Sequence, residues 1–273
     1  MRENEKQKAL KRVLLISLLL ISHLQLLSAS FALANVGSAV FCPNYLTYLD
    51  SEYEHWLSST VCSWLSLWLA ARYQSGCMYY YEEYCTVDEI RISLSQLKSS
   101  FIDAVVFSKG HRGTPYYPNY NHKSLLDHYG GHLIDYEDIY PRTSYENTFT
   151  FLWHCETADK DTYPLGWDEY GYYPMPYCWT HAEDMPEYGN TGAQVYIGWH
   201  GGSPQFNSTT NSSPWDFAQV AYLFWYKMCD DYTVTQTLGY IANEVYNEDG
   251  FDSTQLYNWL VVYGNMDVGL PYD

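Results

Sequence analysis

The sequence predicts an α/β fold whose mostly parallel sheet is flanked by helices. Short apolar runs at 102–107, 149–153 and 194–197 each end in a polar turn, and helical stretches lie before and after them. Short buried strands that alternate with helices favour parallel neighbours in a layered fold. The 273 residues, of which 47% are hydrophobic, are enough for one large core or two small ones.

The first half of the chain predicts two further strands and two helices. Residues 39–42 are a short apolar stretch that suits a first strand, and the aromatic run 77–81 suits a second. Between them, residues 58–73 place apolar side chains on one face at helical spacing. A Thr-Val-Asp-Glu capping box at 86–89 marks the start of a second helix, and an apolar stripe follows it.

Two helices and one short closing element are predicted near the end of the sequence. After the strand at 194–197, helical patterns cover about 215–230 and 233–246. Residues 256–263 close the chain as a last strand or as the end of a helix. The Tyr-rich stretch 163–188, which holds four prolines, predicts a long ordered loop rather than a linker.

The N-terminus predicts an export signal over residues 1–34. Basic residues up to Arg12 precede the apolar run 13–21, and an Ala-Leu-Ala site fits cleavage after Ala34. We therefore expect a single mature domain over 35–273, without a membrane span, that is secreted or held at the extracellular surface. The alternative is a retained anchor helix, since the end of this segment carries no charge.

The net charge excludes one class of partner and favours another. The whole chain has a formal net charge of -18, and residues 35–273 hold 9 Lys and Arg against 30 Asp and Glu, a net charge of -21. Nucleic-acid binding needs clustered positive charge, so we expect no nucleic-acid partner. A protein of this sign attracts cationic partners or substrates and is repelled by an anionic membrane surface.

Cysteine usage suggests an oxidising compartment. All seven cysteines follow the predicted signal: Cys42, Cys62, Cys77, Cys85, Cys155, Cys178 and Cys229. An exported protein tends to pair its cysteines, so we expect up to three disulfides and one thiol left over. The alternative is that several of the cysteines are buried thiols.

Two residues with catalytic chemistry follow predicted strands. His111 lies in the turn after 102–107, and Cys155 lies in the turn after 149–153. A thiol becomes a nucleophile when a neighbouring base takes its proton, and an imidazole on an adjacent strand can be that base. Glycines beside the histidine allow a backbone N–H to approach a developing oxyanion. The pair predicts a catalytic dyad; a structural turn histidine and an inert or disulfide-bonded cysteine are the alternatives.

These segments resemble those of a known peptidase family. Residues 110–113 (GHRG) and 153–158 (WHCETA) are similar to the histidine and cysteine blocks of the caspase–gingipain–legumain clan of cysteine peptidases. Residues 195–199 (VYIGW) and 262–265 (VYGN) resemble strands of its gingipain-like branch. The resemblance covers about 100–270, and it implies a caspase-like three-layer sandwich.

The resemblance also implies roles for individual residues. Cys155 would be the nucleophile and His111 the base and acid, with the amides of Gly113 and Cys155 as the oxyanion hole. The substrate pocket would involve Glu156, Gly198, Trp199 and His200. Two positions depart from the family pattern. Arg112 separates His111 from Gly113, and His154 replaces a small residue, where it would crowd the site or act as a second base.

The function that we expect is hydrolysis of peptide bonds in proteins or peptides by an exported cysteine endopeptidase, without a cofactor. The acidic charge favours cationic substrates, and acidic groups in the pocket such as Glu156 would select Arg or Lys before the cut bond, as in the gingipain-like branch. The alternative is that the charge only keeps an exported protein soluble. No second Cys pair completes a zinc pattern, so we expect no metal, although Asp230 and Asp231 have the chemistry to bind calcium. The alternative is a non-catalytic cell-surface domain on the same fold that binds protein or glycan through a Tyr- and Trp-rich face.

Overall fold

A computed structural model of the protein describes residues 35–44, 50–115, 123–159, 175–183, 185–210 and 215–273. The predicted signal segment 1–34 and part of the predicted loop 163–188 lie outside these residues. Residues Asn35–Asp273 form one compact unit. Among the described residues, no helix is both long enough and apolar enough to cross a membrane.

Six strands build one sheet and three short strands build another. In the described residues the strands are β1 (Val36–Cys42), β2 (Met78–Tyr81), β3 (Asp103–Lys109), β4 (Arg112–Gly113), β5 (Ser124–Leu126), β6 (His132–Ile134), β7 (Phe149–Trp153), β8 (Val195–Trp199) and β9 (Leu260–Gly264). The large sheet has the order β2-β1-β3-β7-β8-β9, and within it β9 runs antiparallel to β8 while the other neighbours are parallel. The small sheet, β4-β5-β6, is antiparallel.

Helices cover both faces of the large sheet. The described α-helices are α1 (Glu52–Arg72), α2 (Val87–Ser100), α3 (Met175–Thr180), α4 (Phe217–Cys229) and α5 (Val234–Ile241). Apolar residues of α1, α4 and α5 share one core with Val105 and Phe107 of β3, whereas those of α2 and α3 share a second core with Ala104 and Val106. Successive strand residues point to opposite faces, so the two cores lie on either side of the sheet. The predicted α/β fold is confirmed as a three-layer sandwich.

Side-chain caps fix where the helices begin. Thr86 accepts a hydrogen bond from Glu89 N, so α2 begins where the sequence predicts it. α4 begins with a full capping box, in which Asp216 Oδ1 accepts from Gln219 N at 2.8 Å and Gln219 Oε1 accepts from Asp216 N at 2.9 Å. α1 begins after the cap Ser51, earlier than the sequence predicts. This early start brings the first turn of α1 to the edge of the sheet that carries His111.

Replacement of Asp216 by Ala is expected to lower the free energy of unfolding by about 1 kcal/mol, because the capping side chain satisfies an N–H that has no partner within α4. Urea denaturation at pH 7 measures the change. Asp230→Ala, at the exposed C-terminal end of the same helix, is the control and is expected to change stability by less than about 0.5 kcal/mol. An equal loss in both variants would contradict the capping role.

The order of the strands reverses between β1 and β3. The chain continues from β1 to β2 on one side of the sheet, whereas β3 is followed by β7 on the other side. In open α/β sheets, ligands bind outside the carboxyl ends of the strands at such a reversal. The turn that holds His111 leaves β3 at this edge. The strand order and the His111 turn therefore both place the candidate site at the carboxyl end of β3.

Candidate active site

His111 and Cys155 leave neighbouring parallel strands at equivalent positions. Lys109 at the end of β3 pairs with Trp153 at the end of β7, and each candidate lies two residues beyond its strand end. Gly110 N donates to Trp153 O at 3.3 Å, so the two segments stay paired up to the start of both turns. Paired strands lie about 4.8 Å apart. The imidazole and the thiol therefore belong to adjacent chain segments at one edge of the sheet.

A carboxylate that the sequence analysis missed holds His111. Nε2 of His111 donates to Oδ2 of Asp50, whose side chain is 5% exposed. Gln205 Nε2 donates to the other oxygen of Asp50 at 2.8 Å, and His55 Nε2 lies 3.7 Å from the carboxylate. Burial by itself would raise the pKa of Asp50, but the hydrogen bond from His111 and the charges of His111, Lys109 and His55 lower this pKa below its ordinary value. Asp50 therefore faces the imidazole as a carboxylate.

The carboxylate fixes the tautomer of His111. An ionised carboxylate only accepts hydrogen bonds, so Nε2 of His111 carries a proton, and a ring with a single proton then has its lone pair on Nδ1. A nitrogen with a lone pair is what removal of a thiol proton requires. The sequence pattern near this carboxylate marks only the start of α1. Ser51 followed by Glu54 reads as a capping box, and Asp50 lies directly before it.

His154 is a structural residue. It is fully buried, its Nδ1 donates to the carbonyl oxygen of His111 at 2.9 Å, and its Nε2 accepts from Ser108 Oγ at 2.8 Å. Burial lowers the pKa of His154 to about 3, so the ring is neutral at pH 7. The role of a second base is wrong for this residue, because Ser108 occupies the lone pair that a base would need. His154, which directly follows β7, instead connects the backbone of His111 to Ser108 of β3 through two hydrogen bonds.

Gly110 allows the turn of His111 to pack closely. A Cβ at this position would lie 2.9 Å from Cε1 of His154 and 2.9 Å from Cγ of Pro43. Real Cβ atoms do not approach other heavy atoms so closely, so a larger residue would push the ring or the end of β1 away. Because residue 110 is a glycine, the backbone next to His111 packs directly against His154 and Pro43, and these two residues fix the position of the turn.

Cys155 is partly exposed and lies against Ser203. Ser203 N donates to Sγ at 3.3 Å, and Ser203 Oγ lies 3.5 Å from Sγ. Burial raises the pKa of five other thiols, those of Cys62, Cys77, Cys85, Cys178 and Cys229. All seven cysteines are thiols in the structure, and the disulfides expected from the sequence stay a prediction.

Gly113 lies within β4. Leu126 N donates to His111 O at 2.9 Å, and Gly113 pairs with Ser124 two positions further along the same ladder. Hydrogen-bonded and non-bonded pairs alternate in an antiparallel ladder, so Gly113 directs its N–H at β5 and Arg112 directs its N–H away from β5. The role of oxyanion donor that the resemblance implies for Gly113 stays a prediction, and the amide of Arg112, directly after His111, is an alternative donor.

Glu156 is neutralised by two cations of the chain. Its carboxylate lies 3.0 Å from Arg112 Nη1 and 3.8 Å from Lys123 Nζ. Lys123 is 2% exposed and donates to the Glu156 carbonyl at 2.7 Å, where the backbone is left-handed with a φ of 56°. Asp159 lies 3.4 Å from the same ammonium group. Glu156 is thus engaged in ion pairs within the protein, and its role in the substrate pocket stays a prediction.

The residues expected in the pocket after β8 have different environments. Trp199 is fully buried and packs on Trp153 with ring centroids 4.6 Å apart. Its side chain belongs to the hydrophobic core, and its role in the substrate pocket stays a prediction. Gly198 pairs with Val261 in β9, and a Cβ on it would lie 2.8 Å from Thr157 Oγ1. Gly198 therefore permits the segment after Cys155 to pack on β8.

His200 lines a cavity beside these segments. Its side chain is half exposed, and its Nδ1 lies 2.6 Å from Asp159 Oδ1. The cavity has a volume of about 360 Å³ and is also lined by Glu187, Tyr188 and Tyr257. His200 is thus the residue of the expected pocket set after β8 whose side chain reaches open space.

Comparison with known proteins does not assign a family. No protein-family model and no curated protein matches the chain. The resemblance to the caspase–gingipain–legumain clan therefore rests on the short segments 110–113, 153–158, 195–199 and 262–265, and it stays a proposal.

The described part of the chain holds no group of three or more His, Cys, Asp or Glu side chains that is arranged to bind a metal ion. Of the two residues considered for calcium, Asp231 forms an ion pair with Arg72 at 2.7 Å. Asp230 is the exposed C-cap of α4. Asp231 thus faces a cation of the protein and Asp230 faces solvent, so the two carboxylates are in different environments.

Proposed function

We propose that this protein is an exported cysteine endopeptidase in which Cys155 is the nucleophile, His111 is the base and acid, and Asp50 orients His111. The observation that carries the proposal is the hydrogen bond from His111 Nε2 to the carboxylate of Asp50, at the strand end next to the one that leads to Cys155. A histidine held by a carboxylate beside a thiol-bearing segment is the arrangement that activates a nucleophile.

In the proposed reaction, Nδ1 of His111 takes the proton of Cys155, and the thiolate attacks the carbonyl carbon of a peptide bond. The carbonyl electron pair moves to the oxygen, which accepts hydrogen bonds from the amides of Cys155 and Arg112. The C–N bond then breaks, and His111 gives its proton to the leaving amine. Water, deprotonated by His111, attacks the thioester carbon. The C–S bond breaks, the sulfur takes back the proton that His111 holds, and the acid product leaves.

Export and charge belong to the same proposal. Residues 1–34 carry the basic start, the apolar run and the small-residue site of a signal peptide. The net charge of -21 over residues 35–273 raises the local concentration of cationic peptides, through a field that salt screens. This steering acts on the association rate and not on which bond is cut.

A second candidate function is binding of protein or glycan through an aromatic surface on α1 and α4. Trp64 is 51% exposed, Tyr222 is 39% exposed and Tyr226 is 47% exposed. The rings of Tyr222 and Tyr226 are 5° from parallel, and Trp68 packs edge-on against both. Exposed aromatic rings in a cluster suit stacking on a partner. This function requires no reactive thiol.

Labelling of the protein with iodoacetamide tests the peptidase proposal. We expect Cys155 to react at least about tenfold faster than the buried cysteines at pH 7, because it is partly exposed and lies beside the segment that carries a base. His111→Ala is expected to slow the labelling of Cys155 by at least about tenfold, since the thiol proton then has no acceptor on that side. Peptide mapping by mass spectrometry after short exposures measures both rates.

The matched control is His181→Ala, which removes a partly buried histidine whose Nε2 donates to Tyr140 O at 3.0 Å, directly after α3. This change leaves the hydrogen bond between His111 and Asp50 in place, so the labelling rate of Cys155 is expected to stay the same. A Cys155 that reacts equally fast in His111→Ala, or that is found in a disulfide, would count against the peptidase and in favour of the binding domain.

A further inference from the structure

The loop that contacts the thiol of Cys155 also forms one wall of a cavity. Ser203 makes the contacts to Sγ, and its neighbours Gly202 and Pro204 both line the cavity, which has a volume of about 300 Å³. This volume is at the lower end of the range for ligand pockets. The cavity is therefore lined by the two sequence neighbours of the residue that contacts Sγ, the atom that would attack the substrate.

Hydrogen bonds hold the walls of this cavity in place. Trp153 Nε1 donates to Pro204 O at 2.8 Å, which fixes the loop against the end of β7. Phe217 N donates to Ser208 O at 3.1 Å on a second wall. On the third wall, the short 3₁₀ helix Gln255–Asn258 is followed by Trp259, whose carbonyl oxygen accepts from His200 N at 2.7 Å. The cavity is thus built by three segments that are tied to the sheet and its loops.

The lining of the cavity carries no formal charge among the described residues. Phe217 and Trp259 contribute aromatic surface, Ser208 and Thr209 contribute hydroxyl groups, and Gln255 contributes an amide. A Lys or Arg side chain that entered would lose hydration without meeting a carboxylate. The nearest acid to the nucleophile in sequence, Glu156, is already paired with Arg112 and Lys123.

We propose that this cavity receives the side chain of the residue before the cut bond, and that it selects uncharged side chains such as Leu, Phe or Gln. The inference rests on the proposed peptidase function and names its substrate class. It differs from the preference for Arg or Lys that the net charge suggests, because the charge of the whole protein acts at long range whereas selection depends on the atoms that line the pocket.

A peptide library that varies the residue before the cut bond tests this inference. We expect kcat/KM to be at least about tenfold higher after Leu, Phe or Gln than after Lys or Arg. Gln255→Glu places a carboxylate of nearly the same shape in the wall, and it is expected to raise kcat/KM after Lys and Arg by at least about tenfold. Cleavage positions and rates are measured by mass spectrometry.

Gln96→Glu is the matched control, because it makes the same change of charge at an exposed position of α2. It is expected to leave the ratio of the two kcat/KM values unchanged. Hydrolysis that favours Lys or Arg in the unaltered protein, or a ratio that does not respond to Gln255→Glu, would overturn the pocket assignment while leaving the peptidase proposal intact. Absence of hydrolysis for every peptide, together with an unreactive Cys155, would overturn the peptidase proposal and this inference with it.

Discussion

Replacement of Asp50 by Asn is expected to lower kcat/KM for peptide hydrolysis by about 10²–10⁴-fold, the range in which loss of a histidine-orienting carboxylate acts. The amide of Asn can donate a hydrogen bond to Nε2 of His111, which favours the tautomer with its proton on Nδ1. The lone pair would then be on Nε2, beside residue 50, and Nδ1 would have no lone pair with which to take the thiol proton. Because Asp50 contacts His111 and not the proposed substrate, the loss is expected in kcat, with KM nearly unchanged.

Steady-state kinetics on a peptide that the unaltered protein cleaves would measure this effect. Asp138→Asn is the matched control, since it also removes a buried carboxylate that pairs with a cation and accepts a backbone N–H. Asp138 is 5% exposed, lies 2.7 Å from Arg91 Nη2 and accepts from Ile134 N at 2.8 Å. We expect Asp138→Asn to change stability but not kcat. A loss of kcat below about threefold in Asp50→Asn would contradict the orienting role.

The strand ends could be predicted because their signal is local. The apolar runs that became β3 and β7 are bounded by polar turns, and parallel neighbours end at the same edge of a sheet. Placing His111 and Cys155 at that edge therefore needed only element types and their order. The three short strands of the small sheet, of two to three residues each, are too short for a periodic pattern to reveal.

Asp50 could not be predicted as a partner of His111 from any local pattern. The two residues are 61 positions apart, and the segments that bring them together are the start of α1 and the turn after β3. One sequence has several carboxylates near candidate helix starts, and nothing in it shows which of them faces an imidazole. The pairing of Glu156 with Arg112 and Lys123 has the same character, because it depends on where side chains from three segments meet.

The environment of Trp199 could have been predicted from strand periodicity. Val195, Ile197 and Trp199 share one face of β8, because side chains two residues apart in a strand point the same way. All three are fully buried and belong to one core. The alternation therefore indicated a core position for Trp199, and the resemblance to a peptidase loop indicated a pocket. The burial of the Trp199 side chain agrees with the strand periodicity.

His154 is expected to make the protein less stable as the pH falls below about 6.5. Burial lowers the pKa of this ring from 6.5 to about 3 in the folded protein. Between these two values the unfolded chain binds a proton that the folded protein does not, so stability is retained above about pH 6.5 and lost progressively on acidification. Each pH unit between these two pKa values lowers the free energy of unfolding by about 1.4 kcal/mol. At pH 4.5 the free energy of unfolding is therefore about 3 kcal/mol lower than at pH 7.

The variant that isolates this effect is His154→Asn. The Asn side-chain amide can reproduce the donation of His154 Nδ1 to His111 O, but it does not titrate. Urea denaturation of both proteins at pH 7 and pH 4.5 gives four free energies of unfolding. The free energy of unfolding of the unaltered protein minus that of His154→Asn is expected to fall by about 3 kcal/mol from pH 7 to pH 4.5.

The choice of pH 4.5 separates His154 from the carboxylate of Asp50. The pKa of Asp50 is lowered in the folded protein, so its contribution to stability is present above its ordinary value near 3.8 and is lost only as the pH falls through the lower folded value. Other groups titrate in both proteins and cancel in the comparison. Equal pH dependence in the two proteins would mean that the folded protein accepts a proton on His154. Since Nδ1 already donates to His111 O, that proton could only be on Nε2, where it would break the acceptance from Ser108 and loosen the turn that carries His111.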